Sequence, residues 1–176
     1  VDEVGQSYDS ECIMGSYSSS YGATECNEAD LGYYVTYEDR TQQLPADPGH
    51  YVDETGQRLQ KFCPSGTYQG VAGQSFCNNA TVGYYVSSDD KTQQIAAEPG
   101  YYVDQERATS QRSCPSGSYS SEPASASCIE ASAGSYVNSS DKTRAVLAEP
   151  GYYVSSEGRS SQTSCGRGTF SNVSGA

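Results

Sequence analysis

Glycine recurs at positions 15, 32, 49, 66, 83, 100, 117, 134, 151 and 168, an interval of 17 residues kept ten times without an insertion. Two positions after each stands an aromatic residue: Tyr17, Tyr34, Tyr51, Tyr68, Tyr85, Tyr102, Tyr119, Tyr136, Tyr153 and Phe170. A chain punctuated this regularly folds as a row of equivalent small units, not around one central core. Three positions before the glycine only Cys or Ala occurs, in the order Cys12, Ala29, Ala46, Cys63, Ala80, Ala97, Cys114, Ala131, Ala148, Cys165. A site confined to small apolar side chains is expected to be buried. Eleven positions after the glycine the series is Cys26, Gln43, Gln60, Cys77, Gln94, Gln111, Cys128, Ala145, Gln162, so cysteine returns in every third unit and the full repeat is 51 residues. On that period residues 1–176 form one continuous array, with repeats at 12–62, 63–113 and 114–164 and partial repeats at 1–11 and 165–176.

Within a unit, Gly-Tyr-Tyr-Val at 32–35, 83–86, 100–103 and 151–154 has β-favouring side chains that alternate between faces. Seven positions after each glycine come Gly22, Asp39, Gly56, Gly73, Asp90, Arg107, Ala124, Asp141, Gly158 and Gly175 amid polar residues, which is turn chemistry. Thr-Gln-Gln-Leu at 41–44 and Thr-Gln-Gln-Ile at 92–95 then read as return strands. The predicted fold class is all-β: an elongated tandem-repeat rod of short β-hairpin units with local disulfides. Pro48, Pro99 and Pro150 precede a repeat glycine, where they restrict the junction without interrupting a ladder. A lone hairpin is marginal in water, so the aromatic row is expected to be the stacking core between units. Tyr33, Tyr84, Tyr101 and Tyr152 would then face the other way, as the better candidates for a ligand or subunit surface.

Composition fits a stapled array. Leu, Ile, Val and Phe number only 22 of 176 residues, while there are 16 Tyr and seven Cys. Cys12 and Cys26, Cys63 and Cys77, and Cys114 and Cys128 are each 14 apart, so the simplest connectivity is local, each bridge closing one unit. Such a loop is worth roughly 3 kcal/mol in the chain-entropy model. Cys165 is left over, its counterpart falling at 179; either the chain is part of a longer array or Cys165 pairs between molecules. Disulfides on this scale place the protein in an oxidising, extracellular compartment.

The stretches Cys63-Pro64-Ser65-Gly66-Thr67-Tyr68 to Cys77 and Cys114-Pro115-Ser116-Gly117-Ser118-Tyr119 to Cys128 resemble the modules of ephrin-receptor-like cysteine-rich repeats, which are similar in turn to those of tumour-necrosis-factor receptors. The resemblance runs in register along the whole chain, with Ala80 where the family places a further cysteine, a cysteine-depleted variant. It implies an elongated extracellular assembly of short hairpins with few long-range contacts. It specifies no ligand.

The formal net charge of −12, with only 10 Lys and Arg, argues against a nucleic-acid partner. No apolar run approaches the roughly 20 residues needed to span a bilayer. His50, the single histidine, occupies a slot held by Tyr in sister units and reads as a repeat variant. No zinc, redox or hydrolase motif is present, so no catalytic residue, cofactor or metal ligand is expected and the chain reads as a non-enzyme. The turn acids Glu38-Asp39, Asp89-Asp90 and Asp141 recur every 51 residues; they read as solvated turn charge, with weak calcium binding as the alternative. Sequons at Asn79, Asn138 and Asn172 are candidate N-glycosylation sites, and serine clusters such as 18–20 could carry O-linked sugars. The function expected is that of a secreted structural repeat protein, a self-associating segment of a surface filament, fibre or stalk. The alternative is an adhesin or receptor ectodomain binding a protein or glycan.

Overall fold

The computed structural model describes residues 11–176; the expected partial repeat at 1–11 lies, apart from Glu11, outside them. Each unit is named below for its repeat glycine, and positions are counted from it.

Every unit opens on the same tight turn. The N–H at +1 donates to the carbonyl at −2 in all ten units, as from Tyr33 to Asp30 at 3.0 Å and from Tyr101 to Glu98 at 2.9 Å. The repeat glycine is the third residue of that turn, with φ between +74° and +88°. A type II turn needs this left-handed conformation, which glycine adopts without steric cost. Pro48, Pro99 and Pro150 fill its second position, where their fixed φ is already correct.

The described residues hold eighteen strands of two residues each, in nine antiparallel hairpins, and no helix. The register is constant, +1 opposite +13 and +2 opposite +12, as in Tyr84 with Ala96 and Tyr85 with Ile95. The N–H at +14 donates to the glycine carbonyl and closes the hairpin at its base, for example Ala97 to Gly83 at 2.9 Å. The expected four-residue strands contract to the two central tyrosines, and the return strands begin only at Leu44 and Ile95. The reason is that the N–H at +3 turns away from its own hairpin to the following unit: Val86 donates to Ala108 at 3.0 Å and Val35 to Gln57 at 3.0 Å.

The backbone divides into two compact parts, one of residues up to Cys63 with Gln69–Asn78, the other of Pro64–Tyr68 with Asn79–Ala176. Inside each, consecutive units are laced by a recurring set of backbone bonds. In the first, Gly32 donates to Val52 at 2.9 Å and Gly56 to Ala29 at 2.8 Å. In the second, Gly83 donates to Val103 at 2.8 Å and Arg107 to Ala80 at 2.9 Å.

The core differs from the expectation. Its members are the small residues at −3, from 0 to 8% exposed at Cys12 through Ala148, and the valines at +3: Val35, Val52, Val86, Val103, Val137 and Val154, at 4% or less. The aromatic row Tyr17, Tyr34, Tyr51, Tyr68, Tyr85, Tyr102, Tyr119 and Tyr136 is only half-buried, Tyr153 is 39% exposed and Phe170 is 85% exposed. Backbones held together by 2.8–3.1 Å bonds leave room for Ala and Val but not for a phenol ring, whose hydroxyl also needs water or a partner. Burying one valine is worth roughly 1.5–3 kcal/mol. Ordering a residue costs roughly 1–2 kcal/mol, so no 17-residue unit stands without its neighbours.

Contacts also reach the next unit but one. A Cβ built on Gly15, Gly32, Gly66, Gly83, Gly117 or Gly134 would lie 1.7–2.3 Å from the carbonyl oxygen of the residue 41 positions on, at +7 of the second following unit. Those +7 residues, Gly56, Gly73, Arg107, Ala124, Gly158 and Gly175, all have positive φ. Gly100 faces the Asp141 turn instead, and its nearest neighbour, Lys142, would be 3.6 Å from a Cβ.

Candidate functional site

The chemistry that recurs is holding chemistry, and it comes in three forms repeated along the chain. In the cysteine units the disulfides Cys12–Cys26, Cys63–Cys77 and Cys114–Cys128 join −3 to +11, with Cα atoms 5.7–5.8 Å apart. Cys165 is free and half-buried. In most other units a glutamine at +11 takes the place of the bridge. The N–H of Asp30 donates to Gln43 Oε1 at 2.7 Å, and Gln43 Nε2 returns a bond to Asp30 Oδ2 at 2.8 Å. The same reciprocal clip joins Gln60 to Asp47, Gln111 to Glu98 and Gln162 to Glu149. Gln94 accepts from both the N–H and the hydroxyl of Thr81. The sequence carries the signal for this equivalence, since Gln at +11 always accompanies Ala at −3 and Cys accompanies Cys. Its meaning emerges only once the two ends of the hairpin are side by side.

The third form is the aspartate turn. Asp39 Oδ1 accepts from the N–H of Thr41 at 2.9 Å and from its hydroxyl at 2.6 Å, and Asp90 with Thr92 and Asp141 with Thr143 repeat the arrangement. The threonine hydroxyl, then the threonine N–H, hold all three carboxyls below the ordinary aspartate range. These turns lack the positive φ of the other units, so their N–H does not cap the −3 carbonyl of the unit before. A side-chain cation at +8 does so instead: Arg40 Nη1 donates to the Cys12 carbonyl at 2.6 Å, and Lys142 Nζ to that of Cys114. The turn acids are thus occupied in building their own turns. Among the described residues no cluster of His, Cys, Asp and Glu forms a metal-binding group.

The remaining candidates do not converge. His50 packs on Phe62, ring centroids 4.3 Å apart, and its Nδ1 lies 3.3 Å from the Pro48 carbonyl, as a strand residue of its hairpin. Tyr33 and Tyr84 are half-buried, while Tyr101 and Tyr152 are 37% and 38% exposed. Asn79, Asn138 and Asn172 are all exposed. The first part carries an open cleft of about 440 Å³ between Tyr21, Glu25, Tyr37, Glu38 and Arg40. Arg40 there lies 5.1 Å from the Tyr37 ring centroid, already committed to Glu11 and the Cys12 carbonyl.

Fold and site together define a class: a tandem array of two-residue-strand hairpins, each fastened at its base by a disulfide or a side-chain clip. No protein-family model matches the chain, and no curated protein matches its sequence. Among the described residues no helix is long and apolar enough to cross a membrane.

Proposed function

We propose that this chain is an extracellular structural repeat protein, a segment of a filament, fibre or stalk that associates with its own kind, and a non-enzyme. One observation carries the reading: a small set of inter-unit hydrogen bonds recurs along the chain on the 17-residue step, varied on its 51-residue multiple, so length is obtained by repetition. The three disulfides accord with an oxidising compartment. A cysteine-depleted relation to ephrin-receptor-like repeats belongs to the same proposal. The second reading, an adhesin or receptor ectodomain, is favoured by the open cleft at Tyr21 and Arg40. Electron microscopy of native material separates the two. Filaments with an axial period of one or a few 51-residue repeats are expected; isolated short particles that bind a cell-surface ligand through the cleft would transfer the assignment to the second reading.

A further inference from the structure

We propose that Asn138 carries an N-linked glycan whose first sugar packs against Tyr101; the inference rests on the extracellular reading and adds a specific modification site. Asn138, Ser139 and Ser140 are all exposed. Asn138 Oδ1 accepts from the N–H of Ser140 at 3.0 Å and from its hydroxyl at 2.9 Å, and the Asn138 carbonyl accepts from Asp141 N–H at 3.1 Å. The turn therefore consumes the amide oxygen and leaves Nδ2 for solvent. Two donors on Oδ1 draw electron density from the amide and make an Nδ2 proton easier to remove. Transfer forms a bond from Nδ2 to the anomeric carbon of an activated oligosaccharide while that carbon's bond to a diphosphate breaks. The diphosphate leaves with the electron pair, and the amide proton passes to a base of the transferase.

The three sequons are not equivalent. At Asn79 the required hydroxyl, on Thr81, is drawn to Gln94 Oε1 at 3.2 Å by the clip that closes the hairpin, so modification there must precede closure. The turn at Asn138 is local, spanning three residues, and is competent before and after the units dock. Beside Asn172 the turn is closed by Ser171 Oγ, which donates to the Val173 carbonyl at 3.0 Å, a bond that does not use the asparagine side chain. Asn138 adjoins a place for the sugar. Ser139 and Ser140 line a cavity of about 260 Å³ together with Pro99 and the exposed Tyr101. The apolar face of a pyranose stacks on such a ring.

The test is to secrete the full chain from a glycosylating cell, release N-glycans enzymatically in heavy-oxygen water, and map the labelled residues by peptide mass spectrometry. Label at Asn138 in most molecules is expected, with loss of one glycan mass in Asn138→Gln and Ser140→Ala and none in Asn79→Gln. In Tyr101→Ala the glycan remains but is released faster from the native protein. Unlabelled Asn138 overturns the proposal whatever happens at Asn79 and Asn172. If the three disulfides have formed, only the site assignment falls; reduction at Cys12, Cys26, Cys63, Cys77, Cys114 and Cys128 in that chain would bring down the extracellular reading as well.

Discussion

Two glycine substitutions separate the reasons why the repeat position is glycine. In Gly117→Ala the new Cβ would sit 1.8 Å from the Gly158 carbonyl oxygen, against an ordinary contact of 3.4–4 Å, so the turn must retreat by roughly 1.5 Å. Two bonds stand at the site of that retreat, Gly158 to Ala131 at 2.8 Å and Val137 to Arg159 at 2.9 Å. Their loss at about 1 kcal/mol each adds to roughly 1–3 kcal/mol of overpacking. The left-handed φ of +82° costs an alanine roughly 1–2 kcal/mol more. Gly100→Ala meets the same strain at φ +85° but nothing nearer than 3.6 Å. Gly117→Ala is therefore expected to destabilise its neighbourhood by roughly 4–7 kcal/mol and Gly100→Ala by only about 1–2. Because an array need not unfold in one step, the readout is native-state hydrogen exchange at the Ala131–Gly158 and Val137–Arg159 bonds, with urea titration as the global check. Equal losses in the two variants would refute the close-approach argument and leave backbone strain as the whole cause.

Replacing Lys142 by Met leaves the carbonyl of fully buried Cys114 without its donor, and a loss of roughly 1–3 kcal/mol is expected in urea unfolding. The double variant Ala97→Cys, Gln111→Cys places cysteines at the −3 and +11 positions of the Gly100 unit; a fourth disulfide is expected by intact mass, with a gain of about 3 kcal/mol, less the clip it replaces. Asp39, Asp90 and Asp141 have lowered folded-state pKa values, so their contribution is present above the unfolded value near 3.8 and is lost as pH falls through the folded ones. Carboxyl NMR titrations with midpoints below 3.8 for these three are expected, and midpoints at or above it would refute the turn assignment. Lys61, raised by its bond to Asp53 at 2.6 Å, works in the opposite direction: its contribution is complete below 10.5 and lost as pH rises through the higher folded value.

What could be read without coordinates was local or strictly periodic. A periodic glycine, a proline before it and a polar turn seven residues on each act over four or five residues, so the hairpins, their 17-residue step and their disulfides were all legible, whereas the type II turn at the glycine itself was not foreseen. The tyrosine core was misjudged because hydrophobic size was weighed without knowing the gap to be filled. Lacing at +3 shortened the strands and brought backbones so close that Ala148 and Val137 fit where Tyr136 does not. The functional equivalence of Gln111 to Cys128 lay in the sequence as a pattern without a mechanism, because its partner stands 13 residues away in one case and 14 in the other. The exchange of a backbone donor for Arg40 or Lys142 at the aspartate turns, 28 residues from the carbonyl they cap, was equally hidden. The sequence by itself determined the unit, because each unit's turns are made by neighbours along the chain. Only the tertiary structure decided what is buried and what is fastened to what, because those bonds and close approaches join residues 13 to 41 positions apart whose meeting depends on how one hairpin lies on the next.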